Sequence, residues 1–248
     1  MRRHELLAAL HERLRPRSYF EIGVRSGSSL TLSRSRSVAV DPFYRISEEI
    51  RCDVHLVRTT SDEFFARSHP FAHLRRPVVD LAFIDGMHLS EYALRDVINT
   101  ERYTYPASVI VLDDMLPRTV VEAGRGRQEA AEHGAWAGDV YKVVDVLRRV
   151  RPDLVCLEVD TAPTGTAVLL LPDATDRSLG TAYDALVPEL VVPDPQRVPG
   201  AVLHRSRAID PQRLVDAPIW SVLRAARRLP AGLARQQVRR ALAAAGLT

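Results

Sequence analysis

Three aspartates close two apolar runs: Asp85 ends Asp80-Leu-Ala-Phe-Ile-Asp85, and Asp113 with Asp114 ends Val109-Ile-Val-Leu-Asp-Asp. If these runs are adjacent parallel strands, the three carboxylates meet at one sheet edge. They would repel each other unless a cation sat among them, and hard oxygen donors suit magnesium, manganese or calcium. An octahedral ion would leave positions open for a substrate's oxygens. Each acid alone has a plainer reading, Asp85 as the cap of a helix beginning near Leu89 and Asp113 and Asp114 as caps of a turn. All three at strand ends in apolar surroundings weigh toward a metal centre. His88, three residues beyond Asp85, has the proton affinity for acid–base work near neutrality, although a histidine in a helix's first turn is also an ordinary surface or capping residue.

A second constellation lies in Phe20-Glu-Ile-Gly-Val-Arg-Ser-Gly-Ser-Ser29, which sets Gly23 and Gly27 where a first strand hands over to the next element. Glycine lets a backbone approach a ligand closely, and exposed amides at the start of a following helix favour an anion such as a carboxylate. Asp41 then ends the second apolar run, where an acid can accept hydrogen bonds from both hydroxyls of a ribose. The plainer reading of Gly23 and Gly27 is a tight strand-to-helix turn. A dinucleotide fingerprint needs a third glycine three residues after the second, and Leu30 stands there.

These residues need a scaffold that brings strand ends together. Leu6, Leu7, Leu10 and Leu14 form a helical stripe over His4 to Leu14, ending near Pro16. Short apolar runs follow at Ser18 to Val24, Ser37 to Val40, Val54 to Val57, Val79 to Ile84 and Val109 to Leu112. A short helix fits between the first two, and helical segments lie at Ser61 to Ser68 and Leu89 to Thr100. Such alternation predicts an α/β, doubly wound, mostly parallel sheet. After a glycine- and alanine-rich stretch from Gly124 to Gly138, read as a mobile loop, comes a helix from Asp139 to Val150. Leu154 to Val159 and Ala167 to Leu171 are too close for an intervening helix and predict a C-terminal antiparallel hairpin. Residues 1–172 form the core in this reading. Residues 173–248 are an appendage with helices near Trp220 to Leu229 and Ala231 to Ala245.

Of the 248 residues 46% are hydrophobic and 26% charged, which places the chain among globular rather than disordered sequences. Cys52 and Cys156, each in an apolar run, predict buried reduced thiols and with them the cytoplasm. The opening Met-Arg-Arg-His-Glu lacks the apolar core of a signal peptide, and no run approaches the roughly 18 apolar residues of a membrane span. Residues 205–248 carry nine arginines against Asp210 and Asp216, so a tail of +7 adjoins a body of −4 within the net +3. An acidic body argues against a nucleic-acid enzyme.

From about residue 18 to 171 the chain resembles the metal-dependent S-adenosylmethionine O-methyltransferases related to catechol O-methyltransferase and to macrocin-type enzymes that methylate sugars. The resemblance rests on Glu21, Gly23, Gly27 and Ser29 in Glu-x-Gly-x-x-x-Gly-x-Ser, on Asp41, and on Asp85, Asp113 and Asp114. It implies the Rossmann-like fold of class I methyltransferases, with Glu21, Gly23, Gly27 and Ser29 at the cofactor's methionine end, Asp41 at its ribose and Asp85 beside it. Ser61 and Asp62 fall where such enzymes hold the adenine, a position where Thr59-Thr-Ser-Asp62 also reads as a helix cap. Asp85, Asp113 and Asp114 match a triad for Mg2+ or Mn2+, and His88 matches the general base.

The implied reaction is methyl transfer to a hydroxyl of a small molecule, a sugar of a specialised metabolite or polysaccharide ahead of a vicinal phenol. A non-catalytic binding or assembly protein that keeps the fold is the competing expectation. Sugar-methylating relatives often read Asp-Gly-Asp-His where this chain has Met87, which makes Met87 a candidate determinant of the acceptor. The stretch before the first strand is short for the substrate lid such enzymes build there. Trp136 and Tyr141 are candidate walls of an acceptor pocket. The apolar stripe Ile219, Val222, Leu223, Leu229, Leu233, Val238 and Leu242 packs either on its own domain or in a homo-oligomer.

Overall fold

A computed structural model describes residues 1–128 and 136–248. Seven strands form one sheet in the order β3-β2-β1-β4-β5-β7-β6. They are β1 (Ser18–Ile22), β2 (Arg36–Val40), β3 (Val54–Val57), β4 (Leu81–Ile84), β5 (Val109–Asp113), β6 (Val155–Val159) and β7 (Thr166–Leu170). The first five are mutually parallel, and β7 runs antiparallel to both β5 and β6. The expected mostly parallel sheet with a terminal antiparallel hairpin is therefore present.

Strand side chains alternate between two cores, as the period of two requires. Phe20, Val38, Ala82, Ile110 and Leu169 face one apolar cluster, whereas Tyr19, Ala39, Leu81, Val109 and Val168 face the other. The first cluster is covered by α3 (Ser90–Glu101), α4 (Lys142–Val150) and α5 (Ser178–Leu190) through Leu94, Val97, Val143, Leu147, Leu186 and Leu190, while the short α2 (Ser61–Phe65) adds Phe64. The second is covered by α1 (Arg3–Leu14) together with α7 (Pro211–Asp216), α8 (Ile219–Ala226) and α9 (Ala231–Ala244). A further single turn, α6 (Gly200–Leu203), precedes α7.

The segment expected as an appendage thus shares its apolar cluster with β1, β4, β5 and β7. Ile219, Leu223, Val238 and Leu242 of the C-terminal stripe are buried there, and only Leu233 is well exposed, at 52%. Several of the tail's arginines are also engaged inside the chain. Arg227 donates to the carbonyls of Leu14 and Arg15 and pairs with Asp80, Arg207 pairs with Glu158, and Arg235 pairs with Asp173. No described helix is long and apolar enough to cross a membrane.

Two local expectations change. Between β1 and β2 stands a single 3-10 turn, Leu30–Leu32, where a short helix was expected. The segment is rich in serine, and the hydroxyls of Ser33, Ser35 and Ser37 bond one another and the carbonyl of Ser35, competing with helical pairing. The glycine motif therefore leads into this 3-10 turn, whose N-cap is Ser29, and not into an α-helix. Cys52 lies just before β3 rather than within a strand; both cysteines are free thiols, and each is half-buried rather than buried as expected.

Candidate active site

Register places the site. Ile22 pairs with Ile84, and Ile84 with Leu112, so the next residues, Gly23, Asp85 and Asp113, emerge together at the carboxyl edge of the sheet. That is the edge where open α/β sheets take ligands. Gly23 adopts φ +89°, and a Cβ there would stand 1.8 Å from the Asp85 carbonyl oxygen. Its missing side chain thus serves the close crossing of β1 and β4.

His88 sits between two of the three acids. Its Nε2 lies 3.1 Å from Asp85 Oδ1, and its Nδ1 lies 3.1 Å from both Asp114 Oδ2 and the Trp136 carbonyl. Trp136 stacks on the imidazole with ring centroids 4.9 Å apart. The approach to Asp85 is made by the loop, not by a helical turn: α3 begins only at Ser90, and His88 has φ +48°. Burial works against the imidazolium, but the bond to Asp85 and the charges of Asp114 and Asp85 outweigh it and raise the His88 pKa. Burial, reinforced by the Asp85 charge, lifts Asp114 to about 6, and burial with the charges of Asp114 and Asp85 lifts Asp113 well above the carboxylate range. Thr164, from the loop between β6 and β7, donates to Asp114.

Asp85, His88 and Asp114 offer donor atoms that all lie within 4.8 Å of one another. Asp113, the third acid of the expected triad, is bonded instead to the guanidinium of Arg3, which also lies 3.9 Å from Asp85 and 4.0 Å from Asp114. Arg3 escaped the sequence reading because nothing local marks an arginine in a helix's first turn as a partner for acids more than 80 residues away.

The cofactor candidates are tied into their own loop. Glu21 is fully buried, accepting hydrogen bonds from the hydroxyls of Ser29 and Tyr19, each at 2.6 Å. Asp41 accepts from the backbone amides of Arg25, at 2.7 Å, and Phe43, at 2.5 Å. Gly27, with φ +90°, lies beneath Ile46 and Ile50, and the amides of Arg45 and Ser47 donate to the carbonyls of Arg25 and Ser26. Segment 42–50 therefore covers the glycine motif. Ser61 opens α2 behind the Thr60–Glu63 capping box, and Asp62 is paired with Arg95 at 2.5 Å.

Near α2 lies Asp96 of α3, a buried acid that burial pushes up to about 7. Asp96 lines the cleft with Asp85, Gly86, Met87, His88, Asp113 and Asp114. Its sequence signal was an acid inside the apolar face of α3, between Leu94 and Val97. The cleft has about 10 Å³ of free room, enough for a single water. Met87 is 57% exposed at its mouth.

Of the two aromatic residues expected at the pocket, Trp136 reaches the site, whereas Tyr141 packs with Leu116, Ala123 and Val202. The expected mobile loop is anchored at its described start, where Arg125 binds Glu91 and Asp139 and its amide bonds Asp194. Residues 129–135 of that stretch lie outside the described residues.

Glu21 gives a pH signature. Burial raises its pKa to about 8 from an ordinary 4.5, so folding takes up a proton. The associated stability is full below about pH 4.5 and is lost as pH rises through 8. Urea denaturation of wild type and Glu21→Gln should give similar stabilities at pH 5. At pH 8.5 the variant should lead by on the order of a few kcal/mol. Parallel curves at both pH values would show that Glu21 is ionised in the fold.

The strand order and the single reversed strand define a Rossmann-like fold, with the acids at its carboxyl edge. Residues 20–115, from β1 to the acids after β5, match a family described as a methyltransferase domain. No curated protein matches the chain. Among solved structures, it is similar to cofactor-bound Rv0187 from MTB, with 17% identity over 68% of this chain and 79% of that one and a TM-score of 0.49. A putative caffeoyl-CoA O-methyltransferase from Staphylococcus aureus gives 14% identity, coverage of 68% and 82%, and a TM-score of 0.49. The O-methyltransferase TomG from Streptomyces achromogenes gives 16%, 68% and 78%, and 0.47.

Proposed function

We propose that the chain is an S-adenosylmethionine-dependent O-methyltransferase acting on a hydroxyl of a small molecule, with a sugar preferred over a vicinal phenol. The observation that carries this reading is His88 held between Asp85 and Asp114 at the ligand edge of a methyltransferase domain. Once Nε2 is released from Asp85, an imidazole so placed can take the proton from an acceptor hydroxyl while Asp114 and the Trp136 carbonyl hold Nδ1 and fix its ring. Trp136 closes one face of it against water. The cofactor's ribose and methionine ends belong at Asp41, Gly23 and Gly27, and its adenine near Ser61, Asp62 and Asp96. Cofactor entry requires segment 42–50 to move off Gly27. The free cysteines accord with the cytoplasm.

The donor set fits a divalent ion such as Mg2+ or Mn2+: oxygen from Asp85 and Asp114 and nitrogen from His88, in reach of one another, with Asp113 adjacent. When bound, such an ion lowers the pKa of a hydroxyl and orients it. An ion on His88 would occupy the imidazole nitrogen needed for proton removal, so in that state His88 is a ligand.

A second reading, a binding or assembly protein that keeps the fold without turnover, is favoured by Asp41 and Asp113 being engaged within the chain. One experiment separates the two. Calorimetric titration with S-adenosylmethionine should show binding by wild type and at least tenfold weaker binding by Asp41→Ala, about 1.4 kcal/mol. Cofactor consumption should then appear on a panel of glycosides and catechols. Equal affinity of wild type and variant removes Asp41 from the cofactor site, and binding without consumption on any acceptor favours the second reading.

A further inference from the structure

Three acids whose side chains are 1–17% exposed need positive charge, and the chain supplies it. Arg3 stands in the first turn of α1 and reaches all three, bonding Asp113 and approaching Asp85 and Asp114 to 3.9 and 4.0 Å. Its backbone is pinned: the Arg3 amide donates to the Ala162 carbonyl at 3.2 Å, and the Ala162 amide donates to the Met1 carbonyl at 3.0 Å. Ala162 belongs to the same β6–β7 loop that brings Thr164 onto Asp114. The first turn of α1 and this loop are thus fastened together, and each delivers one polar group to the acids.

A guanidinium and a divalent ion want the same carboxylate oxygens. Arg3 draws Asp113 out of the donor set and leaves Asp85, His88 and Asp114, while its charge lies close to where an ion on those donors would sit. We propose that Arg3 is a built-in counter-ion of this cluster that competes with the divalent ion, so that the N-terminal helix sets the metal affinity of the site. The inference rests on the metal reading above and adds to it a residue that opposes loading. Arginine suits the task because its charge is permanent and its planar fork matches a carboxylate. For Asp113 to join the ion's ligands Arg3 has to leave it, and with the backbone anchored to Ala162 the side chain alone has to swing.

The test is Mn2+ binding to the full chain, followed by electron paramagnetic resonance of the free ion and by calorimetry, without cofactor or acceptor. Arg3→Gln should bind Mn2+ at least tenfold more tightly than wild type. Arg3→Lys, which keeps the charge, should stay near wild type. If Arg3→Gln does not fold, Arg3→Met keeps the aliphatic stem and carries the same expectation. Equal or weaker binding by the neutral variants overturns the competition while leaving the metal reading intact. Absence of Mn2+ binding in wild type and every variant overturns both, and the S-adenosylmethionine titration then reports separately on the cofactor site.

Discussion

His88→Ala should lower single-turnover methyl transfer by about 100- to 10,000-fold, the usual contribution of a general base, while S-adenosylmethionine affinity stays nearly unchanged. The asymmetry follows from position. The imidazole touches Asp85, Asp114 and Trp136, whereas the cofactor candidates Glu21, Gly27 and Asp41 touch residues of β1, its following loop and segment 42–50. Single-turnover kinetics on the acceptor found by the substrate panel, beside calorimetry with the cofactor alone, measures both halves. A histidine that merely ordered the loop before α3 would cost stability and leave the rate. A variant that keeps its rate therefore removes His88 from the chemistry.

Gly138→Ala should be nearly as damaging through a different route. Gly138 has φ +69°, and a Cβ there would stand 1.7 Å from the His88 carbonyl oxygen and 2.9 Å from its Cβ. The overlap involves backbone, so either the His88 loop or the chain around Gly138 has to shift, on top of the cost of a left-handed alanine. We expect a loss of about 2–5 kcal/mol in stability. Because a displacement of about 1 Å can cost about 100-fold in rate, turnover should fall by that order even where the protein still folds. Gly232→Ala is the control. Nothing lies within 4 Å of a Cβ at that position in α9, and the helix should gain up to about 1 kcal/mol from the better helix former. Thermal denaturation and single-turnover rates of the two variants side by side check the prediction, and a Gly138→Ala protein with wild-type stability and rate would refute the packing argument.

The same contrast between local and remote causes separates what the sequence determined from what folding decided. Strand positions were legible because apolar runs buried on both faces are a local pattern: Val38, Ala39 and Val40 need only be adjacent and apolar to form a central strand. The acids at strand ends were legible for the same reason, since the parallel register that aligns Ile22, Ile84 and Leu112 carries Asp85 and Asp113 to one edge. The helix expected after Gly27 was misread because serine hydroxyls competed for its backbone, an effect that depends on their mutual placement as well as their number.

Which charges meet was beyond any local pattern. Arg3 finds Asp113 across 110 positions of chain, Thr164 finds Asp114 across 50, and Trp136 covers His88 across 48. Asp41, expected at a ribose, accepts from the amides of Arg25 and Phe43, donors that come from the two loops meeting at the end of β2. Periodicity therefore determined the sheet and the edge at which the acids gather. The tertiary packing of α1 and the β6–β7 loop decided that an arginine stands among them, because a buried acid takes whatever positive partner the fold sets within hydrogen-bond reach.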